Sequence, residues 1–358
     1  MTAADPPPPD TASACATYVE LLGNAQMRDA VRLMTDLAAT GLSLEQIVTE
    51  VLVPAQVEVG RRWEQGRWSV AQEHTASGIT DIALQTAVLA TGADRVRPGE
   101  LSLVLACADG EWHALSARMA GEVLRGLGVD VTYVGASLPV EALGEYLTLR
   151  RPIALGLSCS TAMTLVGARG SIVQAHQAGV PVLVAGSAFG RDGMRAAAIG
   201  ADGWVATPRD AVALLERWRT EVPEFGSAME PESGEWERLA GAPSEVVDAI
   251  MVGLLKRRPR LRSFSGSLTQ RLRKEAAYLL RCCAGVLLTG DASLLEDHTV
   301  WLRGVLAARR VPPEVLDDLY ASAAETLARD SGHAAAMVDA CRGLLVRRPG
   351  DQGDRALA

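Results

Sequence analysis

The sequence lacks any run of about 18 unbroken apolar residues, the length a membrane-spanning helix needs. Its N-terminus also lacks a basic start followed by an apolar stretch, so neither a membrane protein nor a secreted precursor is expected. Positive charge is in deficit: 35 Lys and Arg against 43 Asp and Glu give a formal net charge of −8. Phosphate binding needs a basic footprint, so no direct nucleic-acid partner is expected. Cysteine is sparse, and Cys15, Cys107, Cys159, Cys282, Cys283 and Cys341 follow neither a metal-ligand spacing nor a disulfide framework. These absences point to a soluble cytoplasmic protein. What is present is apolar material, 48% of 358 residues, enough for two or three domains with full cores.

Residues 1–11 carry a run of four prolines without periodicity and are expected to form a disordered tail. Residues 12–94 read as a helical bundle. Tyr18, Leu21, Leu22 and Leu33, Met34, Leu37 recur at helical spacing, and Ser43 with Glu45 opens a segment through Val57. From Pro98 to Val222 the pattern changes. Short β-like runs at Leu101–Cys107, Val129–Val134, Ile153–Ser158, Val180–Ala185 and Trp204–Ala206 alternate with helical stretches. Those stretches are Ala114–Leu127, Val140–Arg150, Leu165–Ala178, Met194–Ile199 and Asp210–Thr220. This alternation predicts a Rossmann-like, doubly wound parallel sheet, and right-handed crossovers place the strand C-termini on one ligand-binding edge. That edge carries 108–113, 158–161 and 186–190. Residues 223–237, rich in Pro, Gly, Ser and Glu, read as a linker; 238–348 read as a helical domain and 349–358 as a tail. The expected fold class is therefore multidomain α and α/β.

Directly after the first strand stands DGEWHALS, residues 109–116. A histidine there can offer one ring nitrogen to a metal while a nearby carboxylate holds the other, and Glu111 is placed to hold His113. Taken alone, E-x-H in a loop also fits an ordinary surface histidine. The order of bundle, sheet and His loop resembles the cobalamin-binding module of methionine synthase and its relatives, whose motifs are D-x-H-x-x-G, S-x-L and G-G. The matching positions are Glu111-Trp112-His113 with Ser116, then Ser158-Cys159-Ser160, then Gly186-Ser187. The resemblance implies that His113 ligates cobalt and that the small residues line a slot for the displaced nucleotide tail, where backbone must approach closely. Glu for Asp at 111 keeps the hydrogen bond. Ser116 and Ser187, each replacing a glycine, narrow that slot.

In the bundle, nine residues separate Trp63 from Glu73-His74, inside GRRWEQGRWSVAQEHTASG. This resembles the W-x9-E-H element of the light-sensing cobalamin regulators of carotenoid genes. There these residues line the upper face of the corrin and accommodate the adenosyl group, which an indole can cover and a carboxylate and imidazole can hydrogen-bond. The bland alternative is a buried tryptophan capping the bundle, with Glu73 and His74 on an exposed turn. Glu64 stands where those regulators have a second cobalt-capturing histidine, so a double-histidine photoproduct through that position is excluded and His74 is left as a candidate substitute. The DNA-binding helices of those regulators are not expected here, nor is a basic recognition helix.

Residues 279–297, LLRCCAGVLLTGDASLLED, resemble the helix, turn and helix of phycocyanin-type phycobiliproteins, globin-like proteins that hold open-chain tetrapyrroles. An amphipathic helix at Val246–Leu255, a break near Pro259 and the prolines at 312 and 313 agree with that register. In it, the C-L-R-D element falls on Leu272-Arg273-Lys274-Glu275. Leu272 replaces the chromophore-bearing cysteine, which excludes a thioether there. Lys274 replaces the propionate-binding arginine, and Glu275 replaces the carboxylate that bonds the pyrrole N–H groups. Arg271, Lys274, Glu275 and Tyr278 share a helical face and are the candidate bilin contacts, although a solvated charged stripe gives the same spacing. Cys282 and Cys283 read as core. A cobalamin photoreceptor module joined to a phycobiliprotein-like domain resembles the photocobilins. That resemblance implies a non-enzymatic light sensor binding adenosylcobalamin and non-covalent biliverdin, with light-dependent assembly and a separate effector protein. The competing reading is a corrinoid carrier passing methyl groups. A radical mutase subunit is disfavoured because no substrate barrel is evident.

Overall fold

The structure, a computed structural model, describes residues 10–229, 234–263 and 266–346. Residues 1–9 of the expected tail at 1–11, the expected tail at 349–358 and residues 230–233 of the expected linker lie outside the described residues. Contacts divide the chain into two units. The first comprises residues up to Ser160 with 170–193 and 201–226; the second comprises 161–169, 194–200 and 227 onward.

The first unit begins with the bundle: α1 (Thr11–Gly23), α2 (Met27–Ala39), α3 (Leu44–Ile47), α4 (Val53–Glu64) and α5 (Val70–Thr91). Asp10, expected in the tail, instead caps α1 by accepting from the Ser13 N–H. A π turn at Val48–Leu52 joins α3 to α4. It absorbs Pro54, which has no N–H to continue an α-helical ladder. In α5 the capping box of Ser69 and Gln72 sets the start, and left-handed Gly92 sets the end. Its buried residues, Ala76, Ile79, Thr80, Ala83, Leu84, Ala87 and Val88, follow the three-and-four spacing of one face. They meet Tyr18, Met34, Ile47 and Leu52 in a single core.

The sheet follows, with strands β1 (Ser102–Cys107), β2 (Asp130–Gly135), β3 (Ala154–Ser158), β4 (Val182–Ala185) and β5 (Gly203–Trp204). The helices between and after them are α6 (Ala114–Gly126), α7 (Val140–Arg150), α8 (Leu165–Gln177), α9 (Met194–Ala198) and α10 (Pro208–Thr220). The strand order is β2-β1-β3-β4-β5, and every pair is parallel. Strands β1 and β3 are thus neighbours at the point where the winding reverses, and their C-terminal ends frame the crevice such a fold offers to ligands. Leu103 and Leu105 of β1 pack with Leu124 of α6 and Leu215 and Trp218 of α10. Met119 and Val123, on another side of α6, join the bundle core, so α6 welds bundle to sheet.

The second unit holds α11 (Glu235–Ala240), α12 (Ser244–Arg257), α13 (Gly266–Thr289), α14 (Ser293–Ala308), α15 (Pro313–Leu327) and α16 (Gly332–Val346). Here the structure departs from the sequence expectation in two ways. Glu235, expected in the linker, is 3% exposed and accepts from the Ala334 N–H, so the helical domain begins before residue 238. Residues 161–169 and 194–200, the latter holding α9, are expected within the sheet domain but belong to this unit and pack on α13. A Cβ at Gly285 would lie 3.1 Å from the Ala162 carbonyl oxygen, an approach that favours glycine. Among the described residues no helix is long and apolar enough to cross a membrane.

Candidate functional site

The Ala108 N–H donates to the Ser158 carbonyl, which carries the β1–β3 pairing one step past the strands and brings the two loops together. The loop after β1 then turns through left-handed Gly110. Ser137, in the loop after β2, braces it from the side: its hydroxyl accepts from the Gly110 N–H at 3.1 Å, and its own N–H donates to the Glu111 carbonyl at 3.0 Å.

This geometry drives the Glu111 carboxylate inward, where it is 1% exposed. One oxygen accepts from the His113 backbone N–H at 2.9 Å and lies 2.6 Å from His113 Nδ1. The other accepts from the Ser160 N–H at 2.7 Å. Burial pushes the Glu111 carboxyl up, but the hydrogen bonds from His113 and Ser160 outweigh it and hold it at about 2. An ionised carboxylate only accepts, so His113 Nδ1 carries a proton, and in the neutral ring Nε2 holds the lone pair. The His113 side chain is 68% exposed at the strand edge, beside exposed Trp112. The Glu111 hydrogen bond pushes the His113 pKa up against the effect of burial, and the Glu73 charge adds to the rise.

Gly186 and Ser187 follow β4. Gly186 sits at φ 117°, and a Cβ there would lie 2.2 Å from the Cys159 carbonyl oxygen. The Ser187 hydroxyl donates to the Ser160 carbonyl at 2.7 Å. Ser158 is buried, Ser160 half-buried and Gly186 exposed, and Ser160 links the two loops by donating to Glu111 and accepting from Ser187. Ser116 is exposed in the first turn of α6, with its hydroxyl 3.4 Å from the His113 carbonyl.

In the bundle, Trp63 lies half-buried near the end of α4, and Glu73 and His74 lie in the first turn of α5. The buried tryptophan of the bundle is Trp68, 8% exposed, with the Arg62 guanidinium 5.3 Å from its ring centroid. Glu73 Oε2 is 2.5 Å from His74 Nδ1, while Oε1 accepts from the Ser77 hydroxyl at 3.0 Å. Asp81 of α5 pairs with Arg118 of α6 at 2.6 Å. The motifs singled out none of Ser77, Asp81, Arg118 or Ser137. Their only trace in the sequence is that Ser77 falls four residues after Glu73.

In the second unit, Leu272 is fully buried, as are Cys282 and Cys283. Lys274 is exposed, while Arg271 and Tyr278 are half-buried. Glu275 is 8% exposed and its Oε2 has no hydrogen-bond partner. Burial pushes its carboxyl up to about 6, against the pull of Arg271, Arg309 and Lys274. Sequence reasoning missed Arg309, because it comes from the end of α14. A carboxyl raised from 4.5 to about 6 disfavours the ionised fold, so the contribution of Glu275 to stability is fully present below pH 4.5 and is lost as pH rises through 6. Glu275→Gln is therefore expected to flatten this pH dependence by about 2 kcal/mol. Urea unfolding of variant and parent near pH 4.5 and about pH 8 measures the difference, and parallel pH profiles would contradict it.

Among the described residues no three or more His, Cys, Asp or Glu are grouped to hold a metal ion. A lone, oriented, exposed imidazole such as His113 suits a metal that brings its other ligands with it. Residues 15–87 and 101–215 each match a family model described as a B12 binding domain. The chain carries two B12-binding domains. They are the bundle and the sheet, with His113 at the strand edge of the second. Over 142 residues, 39% of this chain, the sequence is 37% identical to the HTH-type transcriptional repressor CarH of Myxococcus xanthus. The match spans 46% of that repressor, so the chain covers less than half of its length. Similar solved structures include the monomethylamine corrinoid protein of Methanosarcina barkeri, at 16% identity and a TM-score of 0.49 over 58% of this chain and 99% of that one. Another is the methanol:cobalamin methyltransferase complex MtaBC of the same organism, at 15% identity and a TM-score of 0.32 over 59% of this chain and 81% of that one.

Proposed function

We propose that this protein is a light sensor that binds adenosylcobalamin in its B12-binding domains and biliverdin, without a covalent bond, in its C-terminal helices. The observation that carries the reading is the Glu111–His113 pair. A buried ionised carboxylate fixes the tautomer and presents Nε2 outward at the crevice where such sheets take ligands. His113 would supply the lower ligand of cobalt. Ser158, Ser160, Gly186 and Ser187 would line the nucleotide-tail slot beside it, and Trp112 its rim. Trp63, Glu73 and His74 would form the upper pocket, with the indole against the adenosyl group and the carboxylate accepting from its ribose hydroxyls. When bound, adenosylcobalamin supplies a photolabile Co–C bond. The Asp81–Arg118 pair and the shared core of α6 are then the contacts through which a disturbed upper pocket reaches the sheet.

The bilin part of the reading rests on Glu275. A buried carboxylate near three cations, with one oxygen that has no donor in the protein itself, offers an acceptor to pyrrole N–H groups. Arg271 and Lys274 would hold propionates, and Tyr278 shares their face. Leu272 leaves no thiol at the expected anchor. The output is a conformational change or a change in self-assembly, read by a separate effector.

The deciding experiment is spectroscopic. Protein reconstituted with both chromophores is expected to lose the adenosylcobalamin spectrum on illumination, with a change in oligomeric state and a perturbed bilin band, and acid–urea is expected to release all the bilin. Trp63→Ala is expected to weaken adenosylcobalamin binding about tenfold, the loss of one well-packed aromatic contact, while methylcobalamin binding changes little. Equal losses for both ligands would favour a methyl-carrying corrinoid protein. Absence of any bilin binding would remove the second chromophore while leaving the cobalamin site intact.

A further inference from the structure

Behind Glu73 runs a polar ladder that no motif in the sequence marks. Glu73, Ser77 and Thr80 are i, i+4 and i+7 on α5, so they share a face. Gln56 reaches that face from α4 and Tyr18 from α1. The Ser77 hydroxyl lies 3.0 Å from Glu73 Oε1 and 3.3 Å from Gln56 Oε1. Gln56 Nε2 donates to Thr80 Oγ1 at 2.7 Å, and the Tyr18 hydroxyl donates to the same oxygen at 3.1 Å. Thr80 in turn donates to the Ala76 carbonyl at 2.9 Å.

These contacts leave little freedom of orientation. Thr80 spends its one proton on Ala76, so it must accept from both Gln56 and Tyr18. Gln56 therefore turns its amide nitrogen toward Thr80 and its carbonyl toward Ser77. Ser77 then faces two acceptors, and its single proton goes to the nearer one, the Glu73 carboxylate. The far end of the ladder is immobile, because Tyr18 and Thr80 are fully buried in the bundle core. Ser77 takes one oxygen of Glu73 and His74 meets the other, and each carboxylate oxygen keeps a further lone pair that can accept from hydroxyl donors of a ligand.

We propose that Ser77 and Gln56 are positioning residues that fix the Glu73 carboxylate and thereby set the preference for a ribose-bearing upper ligand over a methyl one. The proposal rests on reading Glu73 as part of the upper pocket. A half-exposed glutamate otherwise loses side-chain freedom when a ligand binds, and a carboxylate ordered beforehand avoids that loss. A methyl group has no hydroxyl for Glu73 to accept from, so its binding is indifferent to the ladder.

The test compares dissociation constants for adenosylcobalamin and methylcobalamin in the full-length protein, with thermal melting of the cofactor-free protein as a fold control. Ser77→Ala is expected to lower the adenosyl-over-methyl affinity ratio about tenfold, roughly the cost of ordering one long side chain, and Ser77→Thr to restore it. Gln56→Leu, on a different helix, is expected to lower the ratio about threefold. The double variant is expected to match Ser77→Ala, because both act through one carboxylate. If Glu73→Gln collapses the ratio while Ser77→Ala and Gln56→Leu leave it unchanged, the ladder does not position the carboxylate and the proposal falls, with the upper-pocket reading intact. If Glu73→Gln itself leaves the ratio unchanged, Glu73 is not a ligand contact, and both readings fall. Strictly additive effects of the two ladder variants would also overturn it.

Discussion

Replacing His113 with alanine is expected to give a protein whose bound adenosylcobalamin shows the spectrum of cobalt without an imidazole below it. The expectation follows from the geometry around Glu111. That carboxylate is buried, held at about 2, and bonded to Nδ1, so Nε2 is the nitrogen His113 presents to the crevice. With alanine at 113, Glu111 still accepts from the backbone N–H groups of residues 113 and 160, so the loop should keep its shape while the metal contact is lost. A milder variant separates orientation from ligation. Glu111→Gln keeps the volume but weakens the hold on the ring, and loss of such an outer partner costs about 10–100-fold in metal affinity. An unchanged spectrum in His113→Ala would show that this histidine is not the ligand, whatever else binds at the strand edge.

Gly186→Ala is expected to do the most damage to the sheet domain of any single methyl group added to the chain. Its φ of 117° lies where L-residues are strained, and the new Cβ would meet the Cys159 carbonyl oxygen at 2.2 Å. Backbone cannot yield there cheaply, because the Cys159 N–H donates to the Ala185 carbonyl and the Ala188 N–H to that of Cys159. Strain of this kind with a forced backbone shift costs about 3 kcal/mol or more. The same shift would displace Ser160, whose N–H holds Glu111, so cofactor affinity should fall together with stability. Ser187→Ala is the contrasting variant, since it removes one exposed hydrogen bond to the Ser160 carbonyl and should cost about 1 kcal/mol at most. Urea denaturation of both variants, with and without adenosylcobalamin, reads the two effects. A Gly186→Ala protein within about 1 kcal/mol of the parent would mean that the two loops tolerate separation.

The alternation of apolar runs from Leu101 to Ala206 was enough to determine a parallel doubly wound sheet, because strand and helix periods differ and only one crossover hand is open to them. The Glu111–His113 pair was equally legible, since a single residue, Trp112, separates its members and a turn must bring them together. What the sequence left undecided is what the tertiary structure joins across distance. Ser160 meets Glu111 from 49 residues away, and Gln56 and Tyr18 reach the α5 face from two other helices. Arg309 comes to Glu275 from the end of another helix, and residues 161–169 leave the sheet unit to pack on α13. Periodicity reports which face of an element is buried and local spacing reports its caps and turns. Which polar group on one element meets which on another depends on how the elements pack and which rotamers that packing leaves open. For Glu275 the sequence offered a charged helical stripe, and only burial by neighbouring helices made it a carboxylate without a partner.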